Sequence, residues 1–325
     1  MHGRAVKRLF IATIIWGLSF PLMRAIGQLQ AELLPGGDSW FFGSASVMTR
    51  FAVAGLIMMM VCARELRGLT WLEVYQGGGL GIGGGLGILF QMDGLACIPA
   101  STSAFLTQSY CLLLPLVVGL RDRRWPTARV WLSGLLVLGG IAALGRVRFD
   151  HLQLGRGEIE TLTGSLLFAG QILWLERPLF RGNNVARFSI VMFLGTALVC
   201  WPVAMIHAHP GDWAVAMGSG RFWIFTGVLI FPCTLVSYVM MNRWQPFVPA
   251  TEAGLIYCAE PIWASVFALF VPGLLSRPGG LDYKNETATW LLVLGGGLIT
   301  GANVLIQTGN KARPAAKGED AQNGP

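Results

Sequence analysis

Charged residues are scarce in this sequence: Asp, Glu, Lys and Arg make up only 13% of its 325 residues, whereas hydrophobic residues make up 54%. Soluble domains carry about 25% charged residues. A chain this poor in charge cannot cover the surface of a globular protein, so we expect lipid to cover it. At roughly 20 residues per membrane-spanning helix, the length leaves room for ten helices and short loops.

Residue patterns that carry catalysis or cofactor binding are also absent. No Cys-x-x-Cys pair, no Cys/His metal spacing, no P-loop and no nucleophile elbow occur. The run from Gly79 to Gly84 matches G-x-G-x-x-G, but it lies inside an apolar stretch with no strand before it. Close helix packing through Gly79, Gly83 and Gly87 explains it better than a dinucleotide site. We therefore expect no enzyme activity, no cofactor and no metal.

Long apolar runs are what the sequence does contain. They predict an all-α polytopic membrane protein with ten transmembrane helices. The predicted spans are 9–27, 41–62, 74–96, 102–120, 130–145, 162–178, 188–207, 222–241, 251–272 and 288–309.

The basic residues, which give a net charge of +7, stand mostly between these runs. With the N-terminus inside, the inner segments hold 16 Lys and Arg and the outer loops hold 6. Such a bias indicates topology rather than nucleic-acid binding, and it favours both termini in the cytoplasm.

An internal repeat divides the chain. The sequence Leu135–Gly140 recurs letter for letter as Leu291–Gly296, and Ile98–Ser101 resembles Val248–Thr251. Because each half would hold five helices, an odd number, the second half enters the membrane from the opposite side. This predicts two inverted five-helix repeats, an architecture of many secondary transporters. The predicted units are 8–146, 161–309 and a disordered cytoplasmic tail at 310–325.

Six charges lie in or near the ends of the predicted spans, where ionisation is costly: Arg24, Arg50, Asp93, Glu176, Glu252 and Glu260. Arg24, Glu176 and Glu252 are close enough to a helix end to snorkel. Arg50 could pair with Asp93 or contact an anionic substrate. Glu260 precedes Pro261, which either shapes a kink or sets a carboxyl group beside a broken helix. Glu260, Asp93 and Arg50 are the candidate coupling charges.

Polar and aromatic side chains form stripes on several predicted helices. Each stripe alone is typical of interhelical packing, but together they would make a mixed apolar and polar cavity, as small-molecule sites usually are. The candidate substrate-binding residues are Trp16, Gln91, Tyr110, Trp174, Tyr238, Tyr257 and Glu260.

The order of short motifs resembles the EamA-type members of the drug/metabolite transporter superfamily, over about residues 8–309. These motifs are Trp16-Gly17-Leu18-Ser19-Phe20, Arg50-Phe51, Ser101-Thr102-Ser103-Ala104 with Pro115, and Glu260-Pro261. The sequence departs from the family where a Gly-Glu pair often follows the fourth and ninth helices. Arg121-Asp122-Arg123-Arg124 and Leu274-Leu275-Ser276-Arg277 stand there instead.

The resemblance implies a multi-pass permease of the cell membrane that moves small metabolites, amino-acid-like or drug-like solutes by alternating access, as an exporter. The alternatives are an intramembrane enzyme, which would need His or Asp clustered at one depth, and a membrane sensor or scaffold. The expected partners are a small-molecule substrate, the lipid bilayer and a coupling ion such as the proton, with a homodimer left open and no nucleic acid.

The count of basic residues generates a prediction about topology. Reporter fusions at Gly309 and at Gly36 should report opposite sides of the membrane, with Gly309 on the cytoplasmic side. The measurement is the activity of a reporter that functions on one side only. The same signal from both fusions would contradict the predicted number of helices.

Overall fold

A computed structural model describes residues 1–98, 103, 106–144 and 155–310, and its only regular structure over these residues is helical. The α-helices are α1 (His2–Leu33), α2 (Ser39–Val61), α3 (Ala63–Leu66), α4 (Trp71–Cys97), α5 (Tyr110–Arg121), α6 (Ala128–Leu144), α7 (Arg156–Leu175), α8 (Val185–Ile206), α9 (Asp212–Gly218), α10 (Gly220–Ile230), α11 (Ser237–Trp244), α12 (Ala250–Tyr257), α13 (Glu260–Ala268), α14 (Val271–Gly279) and α15 (Trp290–Asn310). Apart from Asn310, the predicted tail lies outside the described residues, as do Pro99, Ala100 and Ser101 of the predicted repeat.

Five of the described helical segments are long and apolar enough to cross a membrane: α1, α2, α4, α8 and the continuous helix Gly220–Phe247. A sixth is formed if α12 to α14, which bend by 53° at a short break, make one span. Helices α5, α6 and α15 are apolar but shorter. The all-helical membrane class agrees with the sequence, whereas the count of ten spans stays a prediction.

Side-chain caps fix where several helices begin. Thr70 and Glu73 form a capping box at the start of α4, in which the Thr70 amide donates to Glu73 Oε2 at 2.8 Å. Asn184 Oδ1 accepts from the amide of Ala186 at 2.9 Å where α8 begins. These caps satisfy backbone N–H groups that the helix itself leaves without partners.

Glycines on α4 allow two neighbouring helices to approach closely. On one face, Gly79, Gly84 and Gly87 lie against Trp174, Gln171 and Phe168 of α7. On another face, the backbone of α8 and its side chains lie against Gly77, Gly81 and Gly85. The predicted packing role of the glycine-rich run is confirmed, and α4 is thereby held between α7 and α8.

The two copies of the repeated sequence lie against each other, because α6 packs on α15. A Cβ atom added at Gly140 would lie 2.7 Å from the carbonyl oxygen of Gly295 and 2.7 Å from a side-chain carbon of Ile299. Glycine at this position therefore sets the spacing of the two helices.

Two breaks interrupt the second half of the chain. The segment Phe231–Val236, which contains Pro232, is a π-helix between α10 and α11. Helix α12 ends at Tyr257, and α13 restarts at Glu260 with Pro261 in its first turn. The predicted break at Pro261 is confirmed, and such breaks free backbone carbonyl groups for other partners.

The glycine contacts generate a matched pair of substitutions. A Cβ atom at Gly81 would lie 2.8 Å from the carbonyl oxygen of Met192, a backbone atom of α8, whereas one at Gly78 meets nothing within 4 Å. Gly81→Ala should lower the free energy of unfolding by about 1–3 kcal/mol through overpacking. Gly78→Ala should leave it unchanged or raise it by up to about 1 kcal/mol, because alanine favours helix. Thermal unfolding of both purified variants is the measurement, and equal behaviour would contradict the account of α4.

Candidate functional site

A cavity of about 590 Å³ opens at the end of the bundle where α1 ends and α2 begins, here named the α1–α2 end. Its walls come from α1, α2, α4, α6, α10 and α13 and from the segment before α15. Its size is typical of small-molecule sites. The polar lining residues are Arg24, Gln28, Gln30, Ser39, Ser46, Arg50, Thr226, Ser265, Tyr283 and Glu286.

Apolar and small side chains supply the rest of the wall. Phe20, Ile26 and Phe42 are examples of the apolar lining. Gly27 faces open space, since a Cβ atom there would meet nothing within 4 Å. The cavity thus combines a mainly apolar wall with a few polar groups at definite places.

Two buried polar groups of the wall have no hydrogen-bond partner among the described residues. These are the side-chain nitrogen of Gln30 and the hydroxyl of Thr226, each on a residue that is 1% exposed. The other end of the Gln30 amide accepts from Ser46 Oγ at 3.1 Å. Because buried polar groups are almost always hydrogen-bonded, a donor and a hydroxyl left over in a cavity point to a bound solute or water.

Arg50 brings a buried positive charge to this cavity. Its Nη2 donates to the carbonyl oxygen of Cys233 at 3.0 Å, and its Nε donates to Thr234 Oγ1, so the π-helix holds the guanidinium. No carboxylate lies within 4.0 Å of it in the described part of the chain. Glu260, on α13, is near enough to interact with Arg50 electrostatically. The buried charge therefore relies on hydrogen bonds, not on a direct ion pair.

Arg24 adds a second positive charge near the mouth. Its side chain is exposed, and its guanidinium lies 6.0 Å from the centre of the Tyr283 ring. Glu286 lines the same mouth. Within residues 1–98, 106–144 and 155–310, no carboxylate lies within 4.0 Å of Arg24, so no direct ion pair offsets its charge there.

The predicted pairing of Arg50 with Asp93 is wrong. Asp93, which is 1% exposed, accepts from Ser39 Oγ at 2.7 Å and pairs with Arg156 of α7. Arg156 also pairs with Glu160 at 2.8 Å. The physical reason is that the π-helix offers Arg50 nearer acceptors, while the charged first turn of α7 reaches Asp93.

Ligand atoms of Asp93, Cys97 and Glu160 lie within 4.8 Å of one another, which is close enough for one metal ion to contact all three. The guanidinium of Arg156 already contacts both carboxylates. We therefore interpret the cluster as an ion-pair network that joins α4 to α7.

Further ion pairs connect the end of α1 and the loop before α2 to the second half of the chain. His207 Nδ1 lies 2.7 Å from Asp38 Oδ2, and the Trp40 amide donates to Asp38 at 2.9 Å. Burial alone would raise the pKa of the Asp38 carboxyl, but the hydrogen bonds from His207 and Trp40 hold that pKa below its ordinary value. Arg221 pairs with Glu32 at 3.0 Å. None of these five residues is among the described residues that line the cavity.

Five of the sequence-predicted site residues come together below the cavity. The ring of Trp16 lies 5.5 Å from that of Tyr238 and 5.4 Å from that of Tyr257. Tyr257 donates to Gln245 Oε1 at 2.8 Å. Glu260 lies near Tyr110 and Tyr238. This aromatic and acidic group, Trp16, Tyr110, Tyr238, Tyr257 and Glu260, is here named the aromatic cluster.

The other two predicted residues lie elsewhere. Gln91 donates to Thr107 Oγ1 at 3.1 Å, and Trp174 donates to the carbonyl oxygen of Gln76 at 3.1 Å on the face that packs on α4. None of the seven predicted residues is among the described residues that line the 590 Å³ cavity. Their role in substrate binding stays a prediction.

Sequence reasoning missed the α1 wall of the cavity. Phe20, Arg24, Gly27, Gln28 and Ala31 all line it. Their spacing of three and four residues places them on one helix face. That stripe is a signal present in the sequence, but the position of Arg24 near a helix end favours snorkelling equally well.

The described residues define a helical protein with several apolar helices of membrane-spanning length and a mainly apolar cavity that carries a few polar groups. No protein-family model matches the chain. An uncharacterized transporter of Archaeoglobus fulgidus is 25% identical over 290 residues, which cover 85% of this chain and 82% of that protein. A solved structure described as "Crystal structure of protein" is similar in fold, with a TM-score of 0.69, 17% identity, and coverage of 96% of this chain and 99% of that one. A transporter relative fits the expectation that the chain is not an enzyme.

The ion pair between Asp93 of α4 and Arg156 of α7 predicts that its two partners differ in their effect on stability. Asp93 is buried whereas the Arg156 side chain is 56% exposed. Arg156→Gln leaves a buried carboxylate without its cation, and so it should lower the thermal unfolding temperature more than Asp93→Asn does. The double variant should recover most of the loss relative to Arg156→Gln. Thermal unfolding in one detergent is the measurement, and an equal effect of the two single variants would contradict the pairing.

Proposed function

We propose that this protein is a secondary active transporter that moves small solutes across the cell membrane by alternating access. The observation that carries the proposal is the 590 Å³ cavity, whose wall includes the charge of Arg50 and two buried residues, Gln30 and Thr226, that each keep an unpartnered polar atom. The EamA-like motifs and the similarity to an archaeal transporter support the same assignment.

The two ends of the bundle differ in the way that alternating access requires. The cavity opens at the α1–α2 end. At the opposite end, His2 of α1 lies 3.0 Å from Glu252 of α12, and the rings of Trp16, Tyr238 and Tyr257 pack together in the interior. We take this arrangement as one state of a cycle, open at one end and closed at the other.

Helix packing supports the proposed inverted repeats at 8–146 and 161–309. In a five-plus-five division α2 is equivalent to α8, and α6 is equivalent to α15. In the structure α2 packs on α8, and α6 packs on α15. In the same division α4 packs on α7 as α1 packs on the helix Gly220–Phe247. A two-fold relation between halves would produce such pairs. Both termini in the cytoplasm remain part of this proposal.

The charges of the cavity favour a solute with an anionic group and an apolar body. Arg50 at the base and Arg24 at the mouth attract a carboxylate, while most of the wall is apolar. Glu260, which precedes the cavity-lining Pro261, would take a proton, or would meet the cationic group of the solute when the bundle changes conformation. An amino-acid-like solute carries both charges. Export as the direction rests on the family resemblance.

Coupling is proposed to run through Glu260, with Arg50 and Asp93 as the other intramembrane charges. Of the three, Glu260 alone makes no ion pair or hydrogen bond among the described residues, and its side chain is half-buried beside the break at Pro261. A carboxyl group that is not committed to a partner can bind and release a proton as the bundle changes conformation.

The experiment is transport in proteoliposomes with an imposed pH gradient, screened over amino acids, small organic acids and lipophilic cations. We expect uptake above that of protein-free liposomes for a solute with an anionic group, and dependence of that uptake on the gradient. Glu260→Gln keeps the size of the side chain but not the charge change, so it should abolish the pH dependence.

Glu286→Gln is the matched control, because it removes a carboxylate from the mouth of the same cavity and should leave the pH profile unchanged. If Glu260→Gln transports with the wild-type pH profile, Glu260 is a structural residue of the kink. If no solute of any class is taken up, the proposed transport function fails.

A further inference from the structure

A groove of about 430 Å³ runs along the outside of the bundle between α2 and the π-helix–α11 part of the helix Gly220–Phe247, near the first turns of α1. Most of its wall is apolar. The wall residues are Arg8, Ile57, Met58, Val61, Cys62, Leu235, Val236, Val239, Met240, Arg243 and Trp244.

The apolar wall is exposed on the side of the bundle. Val61 is 79% exposed and Val236 is 49% exposed, and both lie on helices of membrane-spanning length. In water such a patch would indicate a binding surface. In a membrane the neighbouring medium is the acyl chains of lipids, so the groove has the chemistry to seat one of them.

Two arginines from different helices face the same groove. Arg8 lies in the second turn of α1, and Arg243 lies in the last turn of α11, where its guanidinium is 5.8 Å from the centre of the Trp244 ring. Both side chains are exposed, and no carboxylate lies within 4.0 Å of either in the described parts of the chain. An exposed pair of uncompensated guanidinium groups beside an apolar groove favours a ligand with an anionic head and an apolar tail.

The length of the groove agrees with a charged end for the head of a lipid and an apolar end for its tail. Leu235 precedes Arg243 by eight residues, which is about 12 Å along a helix. The groove therefore extends from a charged end, beside Trp244, toward an apolar end about two turns deeper. Tryptophan is typical of the depth at which lipid headgroups meet acyl chains.

We propose that this groove binds an anionic phospholipid, with its phosphate between Arg8 and Arg243 and an acyl chain along α2 and the π-helix. Basic pockets between transmembrane helices are known binding places for anionic headgroups. The bound lipid would touch both halves of the chain, because Ile57 belongs to the first and Val239 to the second. It would also contact the outer side of the π-helix whose residues Cys233 and Thr234 hold Arg50.

The test uses the whole protein, purified and delipidated in a mild detergent, and needs no knowledge of the transported solute. Phosphatidylglycerol should raise the thermal unfolding temperature by about 3–6 °C more than phosphatidylcholine with the same acyl chains. The variant R8Q/R243Q should lose this difference. The matched control is R64Q/R67Q, which removes two arginines near the same end of the bundle that do not line the groove, and it should keep the difference.

A second variant protects the test against a failure to fold. Val236→Trp fills the groove at an exposed position and should also abolish the difference between the two lipids. Equal stabilisation of the wild type by both lipids would overturn the proposal, as would a full effect of phosphatidylglycerol on R8Q/R243Q or on Val236→Trp. An equal effect of inorganic phosphate would also overturn it, since it would indicate a site for free anions. None of these outcomes depends on whether the protein transports a solute.

Discussion

The close approach of α4 to both α7 and α8 is the contact on which the rest of the structure depends. It is possible because glycines occupy both contact faces of α4. On one face the backbone of α4 contacts the side chains of a tryptophan, a glutamine and a phenylalanine of α7, and on the other face it contacts the backbone of α8. In lipid no hydrophobic effect drives helices together, and association relies on such packing. Since α4 belongs to the first half of the chain and α7 and α8 to the second, this seam joins the two halves. It leaves the cavity to form beside it, between α1, α2 and α13.

The charges of the interior are arranged around this seam in two different ways. Asp93 is neutralised by Arg156 across the contact of α4 with α7, which closes that side. Arg50 is held by a π-helix carbonyl and a hydroxyl, which satisfy its donors but do not cancel its charge. A charge that is hydrogen-bonded yet not neutralised can still attract an anion from the cavity. The structure thus separates a charge pair that stabilises packing from a charge that can act on a solute.

The sequence was sufficient to predict what depends on local pattern. Apolar length predicted the helices, glycine spacing predicted the packing of α4, and Pro261 predicted the break before α13. What it could not predict depends on tertiary placement. The hydrogen-bond partners of Arg50 lie on a π-helix, and no rule of residue spacing predicts a π-helix. The partner of Asp93 is Arg156, which lies 63 residues further along the chain. The α1 wall of the cavity could not be predicted because a charge near a helix end, such as that of Arg24, is typical of a topology signal as well as of a binding site.

Exposure of Ser265 to the two sides of the membrane tests the central claim of alternating access most directly. This residue lies on the α13 wall of the cavity. In a background without the six native cysteines, Ser265→Cys would be treated with a membrane-impermeant thiol reagent in intact cells and in inside-out vesicles. The account predicts modification from both sides, slowed by a transported solute, with no modification of Leu198→Cys on the exposed apolar face of α8. Modification of Ser265→Cys from one side only, under every condition, would contradict it.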